Sequence, residues 1–268
     1  MPPEPHKPAP APVEPIYRLF TRLVEIGQLD HEHGLGGQLL FAGRIGLAAE
    51  SSPGRQLLFA ANIAGAASLA ASADPTAQRE AIRDGVVDFM VTSLEEALRI
   101  LKNEVRKRQA VSVGVALEPG AVVGAMLERG VLPDLLPPGE WPESVTGMTS
   151  AQNGQFVGQG SRPIPAENEP PHYVTWSVDR DFARWLPKLD ALAQSIVPVQ
   201  DTARQRWLRL APRYLGRVAH RQHGVALTSD EAEKFKTLAR QLLEQEAANG
   251  NPPFSCELSG ESLTISER

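Results

Sequence analysis

The stretch RQLLFAANIAGAASLAASADPTAQREAIRDGVVDFMVTSLEEALRILKNEVRKRQAVSVGVALEPGAVVGAMLERGVLPDLL, Arg55 to Leu136, decides the fold, because helical and strand patterns alternate along it without a break. From Gln56 to Leu69, Leu57, Ala60, Ala61, Ala64 and Ala67 recur at a 3.6-residue period. Ala64, Gly65, Ala66 and Ala67 are small enough for that helix to lie close on a sheet. Ser93 and Glu96 stand at capping-box spacing, and the helix they open turns Leu94, Ala97, Leu98, Leu101 and Val105 inward. Lys107 and Arg108 close it, where the helix dipole favours cations. AVSVGVAL, Ala110 to Leu117, then reads as a buried parallel strand. A further helix is expected from Pro119 to Arg129, with Gly130 as the residue after it. Strands and helices at this spacing wind with right-handed crossovers, so the expected class is α/β, a parallel sheet flanked by helices.

AANIAGAASL (Ala60–Leu69), TSLEEALRILKNEVRKRQAVSVGV (Thr92–Val115) and LERGVLPDLL (Leu127–Leu136) together resemble the central dinucleotide-binding domain of urocanase, urocanate hydratase, a lyase. The resemblance implies a Rossmann-like fold. It also implies a bound NAD, whose nicotinamide acts in that family as an electrophile towards the imidazole of urocanate.

In urocanases the loop before the alanine-rich helix is crowded with glycines and closed by Ala-Gln, a backbone cradle for the pyrophosphate. Here the corresponding segment is GRIGLAAESSPGRQ, Gly43 to Gln56, and Gly43, Gly46, Gly54 and Gln56 are the residues that match the cradle. Arg55, with Ser51 and Ser52, can donate to an anion at the helix N-terminus. Ala48, Ala49, Glu50 and Pro53 intervene, and a Cβ or a carboxylate at such a place opposes the close approach of phosphate. The acidic residue that would bind a ribose diol is replaced near Ser72, and Asp74 is the nearest carboxylate. The cofactor-binding candidates are therefore Gly43, Gly46, Gly54, Arg55, Gln56 and Asp74, for NAD. After Asp134 the family continues with Ser-Ala-His-Asp where this chain has PPGEWPESVTG, so no catalytic residue is assigned.

The other segments lead into this unit or trail from it. Residues 1–15, with seven prolines, are expected to be a disordered tail. From Ile16, the spacing of Leu19, Phe20, Leu23 and Val24 predicts an amphipathic helix ending near Gly27, and the α/β domain is expected to span residues 16–136. His31 and His33 lack further ligands at metal-site spacing, so no metal is assigned. Gly34, Gly36 and Gly37 precede the strand Leu39–Ala42 rather than follow it, which makes them a turn and not a phosphate loop. Residues 137–171, rich in Pro, Gly, Asn and Gln, read as a linker or strap in which Trp141 and Phe156 are large apolar anchors.

Residues 172–268 read as a smaller α+β unit. A strand is expected at His172–Val178, with helices at Asp181–Ile196, Thr202–Gln222 and Ser229–Ala248, then a terminal hairpin whose Cys256 faces the core. Pro187 and Pro212 fall inside two of the helices. Arg206, Arg209, Arg213 and Arg217 form a stripe on the second helix, with His220 and His223 on its last turn. The stripe is either a solvated face paired with Glu231, Glu233 and Glu244, or a site for an anion or acidic partner.

The 268 residues are 42% hydrophobic, enough for a sizeable core, and the formal charge of −5 argues against a nucleic-acid or anionic-membrane binder. One cysteine excludes an internal disulfide, and with no apolar run of membrane length the expectation is a cytoplasmic protein. Three functions stay open: a divergent NAD-binding enzyme component, a non-catalytic scaffold or nucleotide-sensing relative, and an oligomerisation module at the C-terminus.

Overall fold

The computed structural model of the protein describes residues 13–27, 29–47, 52–137, 155–156, 172–178, 181–216, 222–249, 254–259 and 262–267. The described part opens with helix α1 (Glu14–Gly27) and strand β1 (Leu39–Arg44). Helix α2 (Pro53–Ala64), β2 (Ala67–Ala71), α3 (Pro75–Arg83), β3 (Phe89–Val91), α4 (Leu94–Lys107), β4 (Val111–Val115), α5 (Pro119–Glu128), β5 (Leu135–Leu136) and β6 (Gln155–Phe156) follow. Among the described residues six strands form one sheet in the order β3-β4-β2-β1-β5-β6, every pair parallel.

Alternation along the strands divides the two faces. Leu40 and Ala42 of β1 join the apolar cluster of α1 and α2, whereas Leu39 and Phe41 join Leu98 and Leu101 of α4 and Val122 and Met126 of α5. Helices thus cover both faces, the α/β arrangement that the sequence pattern predicts and the Rossmann-like fold that the resemblance implies. The ends form as their residues dictate. Ser93 Oγ accepts from Glu96 N at 3.3 Å to open α4, and Asp74 Oδ1 accepts from Thr76 N at 2.8 Å to open α3.

One boundary differs from expectation. The alanine-rich helix stops at Ala64 instead of running to Leu69, because Gly65 takes a left-handed conformation (φ 100°) as its cap and Ala67 already belongs to β2. The end of α2 is a crowded junction. Leu35 N donates to Ala64 O at 2.8 Å, and a Cβ on Gly34 would lie 2.1 Å from that same oxygen. The turn glycines thus let the loop before β1 press on the helix end.

The second unit holds β7 (His172–Val178), α6 (Phe182–Ile196), α7 (Thr202–Leu215), β8 (Gln222–Leu227), α8 (Ser229–Ala248), β9 (Phe254–Ser259) and β10 (Ser262–Glu267). Its strands pair in the order β8-β7-β10-β9. The outer pairs are antiparallel and β7 with β10 is parallel, which makes an α+β unit with the expected terminal hairpin. The expected helix Thr202–Gln222 is corrected: α7 ends at Leu215, and Gln222–Leu227 is a strand beside β7.

The apolar core is continuous between the two units, since Ile16, Phe20, Leu58 and Ala61 share a cluster with Trp176, Trp207 and Leu227. Trp207 sits at that seam. Its ring meets Tyr17 edge-on at 4.9 Å and lies 5.2 Å from Phe20, and its Nε1 donates to Gly224 O at 2.8 Å. Of the expected tail, residues 1–12 lie outside the described residues, but Val13 is buried and α1 begins at Glu14. Trp141 and most of the expected strap also lie outside them; within it, Gln155–Phe156 extends the parallel sheet beside β5.

The C-terminal unit is tied by charge as well. Arg204 donates to Glu231 Oε2 at 2.5 Å, to Asp201 Oδ2 at 2.7 Å and to Ala226 O at 3.1 Å. Partial burial raises the pKa of Glu231, but the hydrogen bonds from Arg204 and Thr228 outweigh it, and the carboxyl sits below the ordinary glutamate value. Asp84 behaves alike: burial pushes it up, and Arg83 and Arg55 pull it further down. A depressed carboxylate contributes stability that is present above its unfolded pKa and lost as pH falls through the folded one. The melting temperature should therefore hold level from neutrality to about pH 5 and drop below about pH 4, the ordinary carboxylate range. Glu231→Gln should flatten part of that drop; an identical pH profile in the variant would remove this carboxylate from the acid response.

Candidate functional site

In a sheet of this topology, ligands sit at the carboxyl ends of the strands, where the chain order reverses. That point lies at β1, flanked by β2 on one side and β5 on the other. The end of β1, the described residues that follow it and the first turn of α2 hold most of the residues the sequence singles out.

Each of these residues has a partner or a packing role within the chain. Gly43, at φ 77°, lies where the register of β1 against β2 slips: Phe41 pairs with Leu69 but Arg44 with Ala71, which gives β1 one extra residue. It is the left-handed residue of a bulge, and no described atom lies within 4 Å of where its Cβ would be. Gly46 N donates to Ser52 Oγ at 3.0 Å, so the serine hydroxyl at the helix start turns back into the loop instead of capping α2. Pro53 occupies the first helical position and brings no N–H. A Cβ on Gly54 would stand 2.0 Å from Arg44 O and 3.1 Å from Ala42 O, so this glycine lets the first turn of α2 lie directly on β1.

Arg55 is 6% exposed and its Nη2 reaches Asp84 Oδ2, just after α3, at 2.7 Å. Its Nη1 is buried with no partner among the described residues. The Gln56 backbone N–H returns to Ser52 O at 3.2 Å. Asp74 caps α3, and Ser72 beside it is buried, with its hydroxyl accepting from Asp74 N at 3.3 Å. Across the same edge Arg44 pairs with Glu118 at 3.0 Å, joining the end of β1 to the start of α5. Glu50 and Ser51 lie outside the described residues.

Residues 20–152 match the family model described as the urocanase Rossmann-like domain. This segment is similar to the urocanase Rossmann-like domain. The family binds NAD, and in a sheet of this topology a dinucleotide would lie at the strand edge just described. The residues present do not fit a pyrophosphate well. An anion at a helix start needs free amides and room beside the backbone. Here the Gly46 amide is hydrogen-bonded to a side chain and Pro53 lacks one.

The arginine stripe is also redistributed. Arg206 Nε donates to Ile63 O at 2.7 Å, where a cation suits the negative end of α2. Burial, with the nearby charge of Arg209, lowers its pKa from the ordinary guanidinium value. The expected pairing with Glu231 and Glu233 is corrected: Glu231 is held by Arg204, and Glu233 by Lys236 at 2.8 Å. Arg209 and Arg213 stay exposed, and Arg217 lies outside the described residues.

His223 is not on a helix surface. It stands on β8 with Nδ1 at 2.8 and 2.9 Å from the two oxygens of Asp190, which also accepts from Trp176 Nε1 at 2.9 Å. His220 and the side chain of Cys256 lie outside the described residues, and His33 stands 3.8 Å from Asp30. Sequence reading missed the buried polar chain under the sheet, in which Asn62 Nδ2 donates to Ser112 Oγ at 3.1 Å and Ser112 Oγ donates to Asp88 Oδ2 at 3.1 Å. An asparagine at position 62, inside an otherwise apolar helix, was its only signal.

Proposed function

We propose that this chain is a non-catalytic relative of urocanase, a scaffold or interaction protein in which the dinucleotide-binding edge has become part of the structure. The observation that carries this reading is the Gly46 amide, which a phosphate at the start of α2 would need and which instead donates to Ser52 Oγ at 3.0 Å, with Pro53 bringing no N–H beside it. The internal bonds of Arg55 and Asp74 support the same reading. Urocanate hydration also needs groups that the family supplies after Asp134, where this chain reads PPGEWPESVTG.

A second reading, retention of NAD, has one observation in its favour: the buried Arg55 Nη1 without a partner among the described residues, a donor that an anion would satisfy. Native mass spectrometry and an absorbance scan of the purified full-length chain separate the two. The scaffold reading expects a mass equal to the polypeptide, no thermal shift on adding NAD and no loss of urocanate absorbance. An NAD adduct that survives purification overturns it in favour of the second.

A further inference from the structure

At the opposite, amino end of the sheet a cleft of about 730 Å³ opens between α4, the starts of β3 and β4, and the end of α7. It lies away from the strand edge where the family binds its cofactor. Its walls bring aromatic and cationic groups together.

The aromatic ones are Phe89, 50% exposed on the edge strand β3, and Tyr214. An exposed phenylalanine on a concave wall leaves apolar area that a planar ligand can cover. The cationic ones are Arg99 from α4 and Arg213 from α7, the latter with its guanidinium 5.8 Å from the Tyr214 ring centroid. Two carboxylates also line the cleft, and both are engaged elsewhere. Asp88 Oδ2 accepts from Ser112 N at 2.8 Å and from Ser112 Oγ at 3.1 Å. Glu104 Oε1 accepts from Lys107 Nζ and Asn103 Nδ2, each at 2.8 Å. Neither arginine has a carboxylate within 4.0 Å among the described residues. The cleft thus presents uncommitted guanidinium forks beside an exposed phenylalanine and a half-buried tyrosine, a chemistry suited to a planar group that carries a phosphate or carboxylate.

We infer that this cleft binds a small aromatic anion, its ring against Phe89 and Tyr214 and its charged group held by Arg99 and Arg213. Calorimetric titration of the full-length protein with AMP, adenosine and inorganic phosphate tests the assignment. AMP is expected to bind saturably and more tightly than either part alone. The double substitution Arg99→Gln/Arg213→Gln should weaken AMP at least tenfold at an unchanged melting temperature, and Phe89→Ser should weaken AMP while leaving phosphate unaffected. Any of three results overturns the proposal: no saturable AMP binding at millimolar concentration, adenosine binding as tightly as AMP, or AMP affinity unchanged in the double variant. Retention of NAD at the other end of the sheet, by contrast, would bear only on the scaffold reading.

Discussion

Gly54→Ala is expected to cost about 2–4 kcal/mol of stability, the range for forcing extra volume into a packed contact that only backbone movement can relieve. The added Cβ would meet Arg44 O at 2.0 Å and Ala42 O at 3.1 Å, and neither oxygen belongs to a side chain that can swing away. In a chain of this size that corresponds to a melting temperature lower by about 5–15 °C. Gly43→Ala is the matched control. Its φ of 77° carries a left-handed penalty of about 1–2 kcal/mol, but the space beside it is open among the described residues, so it should melt higher than Gly54→Ala. Equal melting temperatures for Gly54→Ala and the parent would mean that α2 does not rest on β1.

Trp207→Ala should be as damaging, at about 3–5 kcal/mol, the usual cost of deleting a buried indole. Trp207 is 1% exposed and touches elements from both units, α1 through Tyr17 and Phe20 and β8 through Gly224. Urea denaturation checks this, and Trp207→Phe should recover roughly half the loss by keeping a ring in the seam while giving up the hydrogen bond to Gly224. If Trp207→Ala unfolds with the parent's midpoint, the ring does not hold the seam together. A midpoint drop accompanied by a second transition would instead show the units separating before they unfold.

The sequence reading succeeds where a local signal agrees with the tertiary environment. Ser93 and Glu96 open α4 as their spacing predicts, and the β-branched run of β4 is buried on both faces as such a run should be. It fails where neighbouring elements of the same apparent period abut. The pattern of α7 continues past Leu215 into the residues of β8, and only Gly216 and Gly224 mark the change. The same ambiguity placed Ala67 in a helix, because a run of alanines satisfies either period.

For the candidate site, the sequence identified the right turn but not the right roles. Gly54 looks like a phosphate glycine until the Arg44 carbonyl is seen beside it, and Arg55 looks like an anion donor until Asp84, 29 residues on, is found against it. Asp74 likewise resembles a ribose ligand in the linear chain and proves to be a helix cap. Partners supplied from elsewhere in the fold decide each case, and spacing along the chain does not encode them.

Helix α2 is buried from Leu57 through Ala64 on every side, with strands beneath it and α1 and α7 above. Family resemblance and cohesion therefore draw different borders on this polypeptide. The match to the urocanase domain ends at residue 152, yet part of the apolar roof over its central helix is supplied by Trp207, Leu208 and Ala211. Cut at that border, the matched half would lose the cover that α7 gives its buried central helix, so the two units share one core although only one of them carries the family pattern.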